Sequence, residues 1–149
     1  MKDEGSIIHD HLVYELSKKF QSEDYKIIQE GKIPPELWNG KWCEPDLFIL
    51  QNSNLVKVVE VIVGDPYENG DRSVKEKGKK IGNYYNPSEI IIFEPTDYLD
   101  QARLPETKDF YKEILGYEPT SYTQIQRHYS KKWKGEGLDV VFWNEKNFR

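Results

Sequence analysis

The sequence is poor in several features that would each point to a definite class. It has one cysteine, Cys43, in 149 residues, which excludes an internal disulfide and a cysteine-based zinc site and leaves a small buried hydrophobe as the plain reading. No apolar run approaches the ~18 residues needed to cross a bilayer. The opening stretch "MKDEGSIIHDHLVYELSKKF" lacks the basic flank, continuous apolar segment and small-residue cleavage site of a secretory signal, so a cytoplasmic protein without a membrane partner is expected. Positive charge is not in excess either. The net charge of −5 gives no global attraction to nucleic acid. Nucleophile elbows, phosphate-binding glycine loops, dinucleotide fingerprints, repeats and low-complexity segments are all missing from the pattern.

What remains is a chain of single-domain length, 1–149, with 37% hydrophobic and 13% aromatic residues, enough for one sizeable core. Ile8, Leu12, Leu16 and Phe20 recur in steps of four and predict an amphipathic helix over 5–20. Strands are predicted near 25–30, 45–50 and 55–63, the last two joined as a hairpin by the "NSN" turn at 52–54. A Pro- and Gly-punctuated loop through Pro34, Pro35 and Gly40 precedes the hairpin. After loop chemistry at 64–72, a helix carries Val74, Gly78, Ile81 and Tyr85 on one stripe, with Gly78 permitting close approach to the sheet. "SEIIIFEP" at 88–95 reads as a buried strand, followed by helices near 106–115 and 120–133 and a final strand at 139–143. The order implies an α/β protein with a mixed sheet flanked by helices.

Two carboxylates stand out. On strands of period two, Asp46 shares a face with Phe48 and Leu50, and Glu60 shares one with Val58 and Ile62. A buried carboxylate needs a cationic partner, a hydrogen-bond network or a metal ion, because its desolvation costs several kcal/mol. If the hairpin brings both to one side, each raises the other's proton affinity unless a dication lies between them. Mg²⁺ suits such a pair, being a hard ion that takes oxygen ligands and keeps several waters. Strand-end acids that cap turns or pair with lysines are the competing interpretation.

In "EPDLFIL", followed by "VVEVIV", the chain resembles the PD-(D/E)xK nuclease superfamily. Pro45-Asp46 and Glu60 match its Pro-Asp strand and acidic strand, whereas Ile62 stands where its lysine is expected. Gly5 and His9 resemble the Gly-x-x-x-His helix of RecB-like members, and "VEVIVGDP", "KIGNY" and "IIIFEP" follow in the order of Uma2-like members. The resemblance covers a core of about residues 5–95 and leaves 96–149 as a C-terminal helix and strand extension. It implies a restriction-endonuclease-like fold and an Mg²⁺- or Mn²⁺-dependent nuclease acting on DNA, with a homodimer as one assembly open to it. Asp46 and Glu60 would hold the metal, with His9 completing the shell. A relocated lysine, Lys80, would serve catalysis, with Lys77 and Tyr84 as further candidates and Asp10 as a substitute for His9. Asp65 and Glu68 could add an outer ligand.

Two basic clusters could touch phosphate: Arg72, Lys75, Lys77, Lys79 and Lys80 in one, and Arg127, His128, Lys131, Lys132 and Lys134 in the other, although lysine runs on helices are usually solvated faces. Trp133 is assigned to core packing ahead of stacking on an unpaired base. The rival functional reading is a catalytically inactive nucleic-acid-binding or assembly module on the same fold, which Ile62 favours. A small protein-interaction domain is a third.

Overall fold

Alternating and continuous apolar runs become a five-stranded mixed sheet, with helices on both faces, in the computed structural model of the protein, which describes residues 4–22, 24–29, 45–63 and 72–148. The loop expected through Pro34, Pro35 and Gly40, Cys43, and the loop acids Asp65 and Glu68 lie outside the described residues. The strands are β1 (Tyr25–Gln29), β2 (Leu47–Gln51), β3 (Asn54–Val61), β4 (Glu89–Phe93) and β5 (Val141–Trp143), and they stand in the sheet in that order. The first three form an antiparallel meander, while β4 runs parallel to β3 and β5 parallel to β4. Helices α1 (Glu4–Phe20), α2 (Arg72–Tyr85), α3 (Thr96–Ala102), α4 (Leu104–Leu115) and α5 (Tyr122–Gly135) complete the described architecture, with a short 3₁₀ turn at Glu145–Phe148.

The β2–β3 hairpin has the geometry its turn residues permit: Asn52 and Ser53 both take positive φ, +52° and +67°, as a primed two-residue turn requires. The ladder shifts register at Ile49/Leu50, which face Lys57 and Leu55. The extra residue on β3, Val56, turns to the opposite face from Leu55 and Val58, as a bulge allows.

The sheet separates two cores. On one face, Leu12, Leu16 and Phe20 of α1 cover Leu47, Ile49, Val59, Val61, Ile91 and Phe93. On the other, α2, α4 and α5 cover Phe48, Val58, Ile90 and Ile92 with Val74, Ile81, Tyr111, Tyr129 and Trp133. At ~1.5–3 kcal/mol per fully buried large apolar side chain, both layers are substantial. The segment after 95 is therefore half of one core and not an appendage to it. Trp133 is fully buried, so base stacking by its ring is ruled out and the packing role holds.

Three details differ from the expectation. Helix α3 fills residues 96–102, where the sequence predicts no element: "TDYLDQA" is short, and Leu99 is its one fully buried apolar side chain. Helix α5 starts at Tyr122, where the Tyr122 N–H donates to Asp100 Oδ1 at 2.6 Å. Gly78 makes its close approach to Leu138 and Val140, the lead-in to β5, where an added Cβ would lie 3.4 and 3.7 Å from their side chains.

Candidate active site

The register Leu47↔Val59 carries over, one step back, to Asp46 opposite Glu60. Both are buried, 4% and 3% exposed. Asp46 precedes the first residue of β2 and so lies at the end of the ladder, within reach of helices on both faces. From α1, His9 Nε2 stands 3.1 Å from Asp46 Oδ1. From α2, Lys77 Nζ stands 3.0 Å from Glu60 Oε2. The second Asp46 oxygen, Oδ2, accepts the Val61 N–H at 2.7 Å, which fixes the carboxylate against β3.

The ionisations of His9, Asp46 and Glu60 are linked through their contacts. Burial opposes ionisation of Asp46, but hydrogen bonds from His9, Glu60 and the Val61 amide, with the charge of His9, hold it below the usual carboxylate range. Burial, a hydrogen bond to Asp46 and the charge of Asp46 push Glu60 well above its ordinary value, against the opposing pull of Lys77. Of the two acids, Glu60 is thus the one whose surroundings favour holding a proton, in its hydrogen bond with Asp46. The hydrogen bond to Asp46 raises His9, partly offset by its burial, and Asp10 adds to the rise with Oδ1 3.3 Å from His9 Nδ1. A carboxylate at each ring nitrogen suits the doubly protonated imidazolium.

Among the described residues, no group of three or more His, Cys, Asp or Glu side chains is arranged to hold a metal ion. His9 is turned onto Asp46 and does not converge with Glu60 on a common point. Two features nevertheless fit a hard dication: a pair of facing buried carboxylates, and Glu60 Oε2, which is buried and, despite its 3.0 Å approach to Lys77, makes no well-formed hydrogen bond. A pocket of about 230 Å³ opens onto Asp46 and His9, lined also by Asp10, Val13, Tyr14 and Gln29; Glu60 does not line it.

The other expected residues distribute as follows. Lys80 and Tyr84 are exposed on α2, Tyr84 by 40%, and the lysine at Glu60 is Lys77. The signal was available: Val74, Lys77 and Ile81 share the i, i+3, i+7 stripe of the buried face, whereas Lys80 falls beside it. Lys75 pairs with Glu136 at 3.0 Å, and Lys79 lies 4.0 Å from Glu76. Arg72 is the first residue of α2. Arg127, Lys131 and Lys132 are exposed on α5, and Lys132 sits over the Tyr129 ring at 5.6 Å. His128 packs edge-on against Tyr129. Gln29 and Tyr14 went unnoticed in the sequence, where a lone amide on an edge strand and one tyrosine on a helix carry no pattern.

Comparison of the chain with protein-family models, with curated proteins and with solved structures gives no significant match. Among the described residues no helix is long and apolar enough to cross a membrane.

Proposed function

We propose that the chain is a metal-dependent nuclease of restriction-endonuclease-like fold that hydrolyses phosphodiester bonds, with DNA as substrate. The observation that carries this reading is the facing pair Asp46 and Glu60, each nearly fully buried and flanked by His9 on one side and Lys77 on the other. A protein interior rarely keeps two carboxyls in contact without a use for them, because like charges at this range cannot both ionise unaided. Mg²⁺ or Mn²⁺, when bound between them, would supply Lewis-acid polarisation of the scissile phosphate and a water of lowered pKa. Asp46 and Glu60 would then hold the ion as two carboxylates, each of single negative charge, Glu60 being ionised in the field of the dication. His9 and the Val61 amide orient Asp46. Lys77 takes the role expected of Lys80, stabilising negative charge on the phosphate oxygens as water adds to phosphorus and the bond to the leaving oxygen breaks.

The second reading, an inactive nucleic-acid-binding or assembly module, is favoured by a specific observation: each acid already has a basic partner within the chain, and Ile62 cannot assist hydrolysis. One experiment separates the two. Purified protein is incubated with linear, circular and single-stranded DNA in Mg²⁺, Mn²⁺ or EDTA, beside folded Asp46→Ala and Glu60→Ala variants. Metal-dependent cutting, lost in both variants, is the expected result; an inert wild type that still binds DNA would transfer the assignment to the inactive module.

A further inference from the structure

Helix α5 and strand β5 enclose a groove of about 640 Å³, lined by Gln126, Arg127, Lys131, Lys134, Asp139 and Asn144 among others. It lies at the sheet edge, with β4 standing between it and the Asp46–Glu60 strands. Arg127, Lys131 and Lys134 follow one another at i, i+4 and i+7 and so share a helix face. None of the three has an ion-pair partner among the described residues, although Asp139 lines the same groove. This contrasts with α2, where Lys75 and Lys77 are each held 3.0 Å from a carboxylate. The groove is also built rigidly. Gln126, 3% exposed, donates from Nε2 to Glu94 Oε1 and the Trp143 carbonyl at 3.3 and 3.2 Å, and its own Oε1 accepts from Asn144 Nδ2 at 3.1 Å.

We propose that this groove binds the phosphate backbone of a nucleic acid. Three un-neutralised cations against one acid, on a chain of net charge −5, make a local positive track whose steps of ~6 and ~4.5 Å along the helix suit a linear series of anions. Lys134 belongs to this surface, and Lys132, over the Tyr129 ring, does not. An added peptide strand is the poorer occupant, since β5 offers only three residues of ladder and main-chain pairing is what such binding depends on. The surface needs no divalent ion, so it operates whether or not the chain cleaves its ligand.

The test is the anisotropy of a short fluorescent oligonucleotide, single-stranded and duplex, in EDTA. Wild type is compared with the combined variant Arg127→Glu, Lys131→Glu, Lys134→Glu and with a control of equal charge change at lysines outside both basic clusters, Lys26→Glu, Lys108→Glu, Lys112→Glu, each confirmed as folded by circular dichroism. The groove variant should bind at least ~10-fold more weakly and the control within ~2-fold. With alanine at the three groove positions, the slope of log affinity against log salt should become shallower by ~2 for a single strand. Equal weakening by both charge-reversed variants, no weakening by the groove variant, absence of binding by wild type, or equal competition by polyglutamate would each overturn the proposal. A wild type that binds through the groove yet cuts nothing removes only the nuclease reading, whereas a groove variant that binds and cuts like wild type removes only this one.

Discussion

Helices α2 and α5 look alike in sequence, each an amphipathic segment dense in lysine, and the fold uses their charges in opposite ways. On α2 the cations turn inward to acids: Lys77 to Glu60 on the sheet and Lys75 to Glu136 just beyond α5. On α5, Arg127, Lys131 and Lys134 face a groove with no acid paired to them among the described residues. Both helices bury an apolar stripe, Val74 and Ile81 on α2 and the larger Tyr122, Ile125, Tyr129 and Trp133 on α5, and the difference in their charges lies in their neighbours. β3 offers α2 a carboxylate that burial leaves short of partners, and β5 offers α5 only a strand edge with Asp139 in its lead-in. A lysine-rich helix therefore cannot be read as a binding surface until the charges opposite it are known.

The comparison can be broken most sharply at Lys77. If α2 serves chemistry and α5 serves binding, Lys77→Ala should lower cleavage by ~10²–10³-fold, the usual cost of removing one stabiliser of developing charge, and leave oligonucleotide affinity unchanged; a loss of affinity without loss of rate would reverse the roles. A middle-sized effect comes from Glu60. Its raised proton affinity means that its contribution to stability is full below the ordinary value of 4.5 and is lost as pH rises through the folded-state value. Without divalent ions, Glu60→Gln should melt above wild type at pH 8, with the gap closing towards pH 4. An unchanged gap across that range would mean that Glu60 ionises freely. The neighbouring pair is bounded on both sides: its contribution falls away in acid as Asp46 is protonated and in alkali as His9 loses its charge. Smallest is Lys75→Met, which removes an ion pair with side chains 17% and 39% exposed. About 0.5–1 kcal/mol of stability should be lost in denaturant titration, with binding and cleavage intact.

Much of this arrangement is visible in the residues themselves. The period-four stripe of α1, the β-branched run of β3 and the Asn-Ser turn identify their elements because local chemistry and tertiary packing agree there. Alternation plus a two-residue hairpin would set Asp46 opposite Val59; the extra residue Val56 shifts the ladder by one and brings Asp46 opposite Glu60, a bulge that no period in the sequence announces. The choice between Lys77 and Lys80 does not follow from lysine spacing alone, since it depends on which helical stripe meets the sheet; Val74 and Ile81 contain that information. Helix α3 and the union of residues 96–148 with the main core stayed hidden for another reason. Their burial is decided by contacts distant in sequence, Tyr122 with Asp100, Gln126 with Glu94 and Ile91 with Val141, which no local period encodes.

Pairing of Ile91 with Val141, fifty positions later, has a kinetic meaning. Strands β1, β2 and β3 form a meander whose hairpin β2–β3 closes through near neighbours, but the last strand must wait for three helices to fold and dock before its parallel ladder can close. Loop-closure entropy precedes any reward from that contact. Until then the edge of β4 stands open, and its sequence, "EIIIF", is an uncharged β-branched run behind one acid, the kind of edge that recruits a second chain. Folding at high concentration therefore competes with association at β4, and β5, the shortest strand of the sheet, acts as the molecule's own guard against it.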